Sequence, residues 1–67
     1  MKNNSLFYWL LTNLKNPMQV TIIRENYSSV TGTARNIFKV FRRYRKYLYT
    51  KIYRKEAHNG EFVLYVR

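Results

Sequence analysis

Basic residues spaced along one side of a helix carry the clearest chemistry in this sequence. They recur every three or four residues within residues 31–47, which is the spacing of one helical face. No acid lies between Glu25 and Glu56, so no carboxylate within this segment can neutralise them. Cations held close together without acids suit an external polyanion such as a phosphate chain. The stripe consists of Arg35, Lys39, Arg42 and Lys46, and it is flanked by Arg43 and Arg45.

Two polar residues in the first expected turn of this helix could read a base sequence. Arg35 and Asn36 carry side chains that hydrogen-bond base edges in the major groove, and an inserted helix typically reads bases with its N-terminal residues. We therefore expect a small nucleic-acid-binding protein of the phage or mobile-element regulator type, with duplex DNA favoured over RNA. The alternative is a small inhibitor that docks on an acidic surface of a larger host protein or nucleoprotein machine.

Tyrosines alternate with cations in a segment that is expected to be a strand. Alternation over residues 48–55 puts two tyrosines and two lysines on one face, which Tyr65 and Arg67 would share. Such rings could stack on unpaired bases. We favour the other interpretation, in which this face packs under the N-terminal helix. The four residues are Tyr49, Lys51, Tyr53 and Lys55, and the expected nucleic-acid contacts outside the helix are Lys51, Arg54 and Lys55.

His58 is the single histidine, and it lies beside Asn59-Gly60. A small basic ribonuclease could use one histidine together with arginine and tyrosine for general acid–base chemistry, but we favour a turn residue. The three acids are scattered, and the sequence has no second histidine and no glycine-rich phosphate loop. We therefore expect no catalytic site, no metal site and no cofactor, with a ribonuclease as the minority alternative.

The composition limits the class of protein. The 67 residues include 13 Lys and Arg against three acids, a formal charge of +10. This sign excludes an acidic mimic of DNA, and the absence of cysteine excludes disulfides and thiolate metal sites. The aromatic share of 18% is too high for a disordered basic tail. The apolar run at residues 6–11 is too short for a signal peptide or a membrane span. We expect one cytoplasmic domain over residues 1–67 without membrane contact.

The N-terminal half contains signals for one helix and one strand. Ser5 as an N-cap, with apolar residues at helical spacing behind it, predicts a helix over residues 5–14. The unbroken apolar run leaves a strand open as the alternative there. Four consecutive β-branched residues at positions 20–23 predict a strand over residues 18–25, with Val20 and Ile22 on one face.

The middle of the chain predicts a long helix. Residues 26–33 are polar and typical of a turn, and Ser29 or Thr31 is the expected cap of the helix that follows. Apolar residues then recur at intervals of three and four, which indicates a single buried stripe. This stripe consists of Val30, Ala34, Ile37, Phe41, Tyr44 and Leu48, and Phe38 widens it.

The C-terminal third predicts a β-hairpin around Asn59-Gly60, because both residues tolerate positive φ. Its second strand would point Phe62, Leu64 and Val66 inward. Together these elements predict an α+β fold: a short N-terminal helix, and one long basic helix packed on a three-stranded antiparallel sheet.

Large apolar side chains on the N-terminal helix have two possible roles. Phe7, Trp9 and Leu10 could belong to the core. If the helix is not fully covered, the same residues form a protein-binding surface or a homodimer interface.

From residue 5 to residue 67 the order of elements resembles small winged-helix DNA-binding proteins. The resemblance is carried by the helix at residues 31–47 and by the hairpin that follows it around Asn59-Gly60. It implies a recognition helix in the major groove and a wing that touches the neighbouring backbone. The implied groove residues are Arg35, Asn36, Lys39 and Arg43, and the implied wing residues are Arg54, Lys55 and His58. The stretch before the helix departs from the family, because it predicts a strand where a winged helix has a second helix.

Overall fold

The computed structural model describes residues 4–43 and 50–67. Within them the chain forms two helices and four strands, so the α+β class is confirmed. The elements are α1 (Leu6–Thr12), β1 (Gln19–Arg24), β2 (Val30–Thr33), α2 (Ala34–Phe41), β3 (Ile52–His58) and β4 (Glu61–Val66).

The sheet differs from the predicted one in strand number and direction. Its order is β2-β1-β4-β3, four strands rather than three. The two outer pairings are antiparallel, but β1 and β4 run parallel in the centre. A parallel neighbour needs a long crossover, and here the chain between β1 and β4 supplies it through β2, α2 and β3.

The first helix and the first strand confirm their predictions. The Ser5 hydroxyl accepts a hydrogen bond from the Tyr8 N–H at 3.1 Å and so caps α1. Leu6 and Leu10 of α1 are buried, which decides for a helix over a strand at this run. In β1, Val20 and Ile22 point to the core as alternation required.

The segment before α2 was predicted wrongly. Val30 and Thr31 do not precede a helix in a turn but lie in β2, opposite Ile22 and Thr21 of β1. The cap is Thr33, whose hydroxyl accepts from the Asn36 N–H at 3.3 Å, rather than Ser29 or Thr31. Backbone pairing with β1 therefore delays the helix by several residues.

The helix α2 is also shorter than predicted. It spans eight residues and has its C-cap at Arg42. Ala34 and Ile37 are buried and Phe38 and Phe41 are half-buried, so this part of the apolar stripe is confirmed. The remaining members of the predicted stripe and of the basic stripe lie outside the described residues: Tyr44, Arg45, Lys46 and Leu48.

Both helices cover the same face of the sheet. The core joins Leu10 of α1 and Ile37 of α2 with Leu64 of β4, and Phe7 meets Phe38 where the helices touch, at 5.7 Å between ring centroids. Phe62, Leu64 and Val66 point to this side, as predicted. Among the described residues no helix covers the opposite face, which we call the open face. The interpretation that α1 packs on the tyrosine face is therefore wrong.

The hairpin turn is confirmed, but its first strand contains an irregularity. Asn59 and Gly60 have φ values of 46° and 81°, which both residue types adopt at low cost. Between Ile52 and Arg54 the register shifts, so that Tyr53 is an extra residue in β3. The strict alternation predicted for residues 48–55 therefore ends at this bulge.

Candidate nucleic-acid interface

The exposed side of α2 carries the cations that the sequence analysis singled out. Capping by Thr33 and burial of Ala34 and Ile37 orient the helix so that its basic residues face solvent. Within the described part of the chain, none of them takes part in an ion pair. A cation without a nearby carboxylate keeps its full attraction for an external anion. We call this the α2 surface: Arg35, Lys39, Arg42 and Arg43, all of them exposed.

The two expected base readers lie at the start of α2. Arg35 and Asn36 are its second and third residues, and both are exposed. The N–H of Asn36 is used by the Thr33 cap, but the cap leaves the Asn36 side-chain amide for other partners. Both side chains are therefore accessible to an external partner at this end of α2.

The open face carries tyrosine rings and guanidinium groups that contact one another. Because of the bulge, the consecutive residues Tyr53 and Arg54 both contact Tyr65 on β4. The Tyr53 ring lies 6.3 Å from the Tyr65 ring, and the Arg54 guanidinium lies 5.3 Å from the Tyr65 centroid. Arg67 stacks over Tyr53 at 4.8 Å. We call these four residues the tyrosine–arginine cluster.

Glu56 is a charged residue of this surface that the sequence pattern did not single out. It forms an ion pair with Arg54 and a hydrogen bond with His58, whose Nε2 lies 3.2 Å from its Oε1, and the Tyr65 hydroxyl donates to the same oxygen at 3.4 Å. The hydrogen bond with His58, and then the charge of Arg54, hold the Glu56 pKa below its ordinary value of 4.5. Arg54, Glu56 and His58 alternate in the sequence, so a strand assignment starting after the bulge could have found this group.

His58 is the last residue of β3 rather than a turn residue, and it is exposed. Its imidazole and the Glu56 carboxylate could exchange a proton with a substrate, since a carboxylate beside an imidazole orients the ring. The pair lies on the protein surface rather than in a cleft, because its neighbours Arg54 and Glu61 are exposed as well.

The predicted contacts of the hairpin do not lie on one surface. Lys55 is opposite Leu64, on the helix side, where it borders Trp9 and Tyr8 of α1. Lys51 is exposed, and alternation with the inward Ile52 places it on the side of the open face. The predicted row of Lys51, Tyr53 and Lys55 is therefore divided by the bulge, and Arg54 takes the place of Lys55 on the open face. Tyr49 lies outside the described residues.

The apolar residues of α1 fit the core interpretation. Leu10 is fully buried, so it presents no surface to a protein partner. Phe7 and Trp9 are half-buried, and the Trp9 ring meets the Phe62 ring edge-on at 5.3 Å. A protein-binding patch on α1 would need side chains that the rest of the protein leaves uncovered, and Leu10 is not such a side chain.

One further tyrosine–arginine pair lies at the turn between β1 and β2, where no functional residue was predicted. The Arg24 guanidinium lies 4.4 Å from the centroid of the Tyr27 ring. Neither composition nor periodicity predicts this pair, because the contact depends on the backbone conformation of the turn, which the sequence pattern did not specify.

Within residues 4–43 and 50–67, no three side chains of the metal-binding types come together, and neither helix has the length and apolar composition to cross a bilayer. Comparison of the chain with protein-family models, with curated proteins and with solved structures found no match.

Proposed function

We propose that this chain is a small nucleic-acid-binding protein that uses the α2 surface to bind the phosphate backbone of a duplex. The observation that supports it is the exposure of four cations, two within α2 and two directly after it, without an ion pair in the described part of the chain. A surface whose only role is solvation normally mixes both signs of charge. The net charge of +10 favours the same class of partner.

The electrostatic contribution of the α2 surface to duplex binding follows from the number of its phosphate contacts. If the four cations of the α2 surface each meet a phosphate, the slope of log K against log salt would be about −3.6, because condensed counterions are released. That contribution is independent of sequence. Discrimination between sites would come from Arg35 and Asn36, at about 1–3 kcal/mol for each well-formed bidentate contact with a base.

Duplex DNA is the proposed partner in preference to duplex RNA. The major groove of B-DNA admits a helix, whereas the major groove of A-form RNA is too deep and narrow for side chains to read. The proposal does not need the winged-helix resemblance. In that family a second helix precedes the recognition helix, and in this chain the strand β2 precedes α2.

The test compares two exposed lysines that differ in location. Lys39→Glu changes the α2 surface, whereas Lys15→Glu makes the same change of charge in the turn after α1. We expect Lys39→Glu to weaken binding to a short DNA duplex about tenfold and to lower the salt slope by about one, while Lys15→Glu has a much smaller effect. Fluorescence anisotropy over a series of salt concentrations measures both quantities.

The same experiment can refute the proposal. If Lys39→Glu and Lys15→Glu reduce duplex affinity equally, the α2 surface is not the contact and net charge alone accounts for binding. If the parent protein does not bind duplex DNA, the acidic surface of a protein becomes the alternative partner for α2, since it would be attracted by the same cations.

A further inference from the structure

We propose that the tyrosine–arginine cluster, together with the Arg24–Tyr27 pair, forms a second site that binds unpaired bases of single-stranded nucleic acid. The site goes beyond the proposed function, because it uses none of the residues of the α2 surface. It rests on the proposed function only for the class of partner.

The rings and cations of this site are held by contacts within the protein. The Tyr53 ring contacts both the Arg67 guanidinium, at 4.8 Å, and the Tyr65 ring, at 6.3 Å, and the Arg54 guanidinium lies 5.3 Å from the Tyr65 centroid. These contacts link the four residues in a row. Cation–π contacts restrain both partners, so less conformational entropy is lost when a ligand binds. The row offers flat surfaces of a kind on which bases stack.

The bulge in β3 is what creates the row. In a regular strand Tyr53 and Arg54 would point to opposite sides of the sheet, and alternation from the inward Ile52 would turn Arg54 towards the helices. The register shift instead lets both side chains lie against Tyr65. Bulges often re-aim side chains beside functional sites. Here Ile52, directly before the bulge, is buried in the core, whereas Tyr53 remains 55% exposed.

A groove extends the row towards the turn between β1 and β2. Asn26 has a φ of 67°, and the Tyr27 N–H donates to the Arg24 carbonyl at 3.1 Å, so the chain reverses tightly there. Tyr27 is 60% exposed. The groove has a volume of about 470 Å³, within the range of small-ligand sites. Its lining includes Arg24, Glu25, Tyr27, Tyr53 and Arg67.

Charge favours a polyanion here, although less strongly than on α2. Glu25 lines the groove, and Glu56 offsets the charge of Arg54 through their ion pair. Arg67 and Lys51 add positive charge on the same side. The site thus combines two exposed rings, neighbouring arginines and a small excess of positive charge. This combination suits a single strand, whose bases can stack on the rings while its phosphates contact the cations, better than the rigid backbone of a duplex. A second copy of this chain would bring the same cations together, which disfavours self-association through this site.

The experiment measures binding of labelled single strands to folded variants. Tyr53→Leu and Tyr27→Leu remove an exposed ring and keep an apolar side chain, and Tyr53→Phe keeps the ring. Tyr8→Leu is the matched control, since Tyr8 is 47% exposed on α1. The probes are oligo(dT), oligo(rU) and a DNA duplex. We expect each ring-removing change to weaken single-strand binding about tenfold, with parent-like affinity for Tyr53→Phe and Tyr8→Leu.

The outcomes separate this proposal from the proposed function. Support requires that Tyr53→Leu lowers single-strand affinity and leaves duplex affinity intact, while Lys39→Glu lowers duplex affinity more than single-strand affinity. A preference for oligo(dT) or oligo(rU) also supports the site and identifies the sugar it accepts. If the parent binds the duplex but neither single strand, this inference alone fails. It also fails if both leucine variants, shown to be folded by thermal unfolding, bind single strands like the parent, or if they change only the self-association of the protein.

Discussion

The α2 surface and the tyrosine–arginine cluster use the same excess of positive charge in different ways. The cations of the α2 surface are exposed and form no ion pair within the described residues. In the cluster, each arginine lies over a tyrosine ring, and Arg54 is also paired with Glu56. The first arrangement acts at a distance and is screened by salt. The second acts at contact and depends on shape.

The two regions also differ in what builds them. The α2 surface needs a short capped helix with an apolar stripe on its other side, so its construction is local. The tyrosine–arginine cluster needs a bulge and the pairing of β3 with β4. Local construction tolerates changes elsewhere in the protein, whereas the cluster depends on the register of a whole strand pair.

The largest expected effect concerns what both regions share, the core. Leu10→Ala removes a fully buried side chain and should lower the free energy of unfolding by about 2–5 kcal/mol. The matched control is Leu11→Ala on the same helix, where Leu11 is 45% exposed and the expected change is below about 0.5 kcal/mol. Urea denaturation measures both. Equal losses of stability for the two variants would show that α1 does not pack on the sheet as described.

The second-largest expected effect is a difference in salt dependence between binding at the α2 surface and binding at the tyrosine–arginine cluster. With four phosphate contacts, duplex affinity should fall about 150-fold between 50 and 200 mM salt, whereas about two contacts on a single strand give a fall of about sevenfold. The same fluorescence anisotropy titrations supply both curves. Equal slopes for the two ligands would remove the distinction between a charge-driven surface and a stacking surface.

The smallest expected effect is the pH dependence of the contacts that Glu56 makes with Arg54, His58 and Tyr65. The Glu56 pKa is lower in the folded protein than its ordinary value of 4.5, so these contacts stabilise the fold above that pH and lose their effect as the pH falls through the folded-state pKa. Glu56→Gln should therefore lower the unfolding temperature slightly at neutral pH and not in acid. Glu25→Gln removes the same charge in the turn and serves as the control. A difference that persists at about pH 2 would contradict this origin.

Elements with local signals could be predicted from the sequence. A serine cap before an apolar run predicted α1, a β-branched run predicted β1, and Asn59-Gly60 predicted the hairpin turn. The apolar stripe that includes Ala34 and Ile37 predicted which side of α2 is buried, and hence which basic residues face solvent. These signals arise from interactions between residues within about one helical turn or one hairpin of each other. The same interactions operate in a short peptide, so they do not depend on the rest of the fold.

The remaining features could not be read from local patterns. Val30–Thr33 has a sequence typical of a turn and forms a strand because β1 offers it hydrogen-bond partners. The parallel pairing of β1 with β4 joins residues about forty positions apart, and no local pattern encodes it.

By itself, the sequence determined the excess of positive charge, the α+β class and the inward sides of α1, β1, α2 and β4, because composition and periodicity act locally. The tertiary structure decided which face of the sheet stays open and which tyrosines meet which arginines. Both follow from the packing of two helices on one side and from a single extra residue at Tyr53. A change of one residue in register turns each following side chain to the other face, so this choice depends on pairing energies summed over the whole sheet.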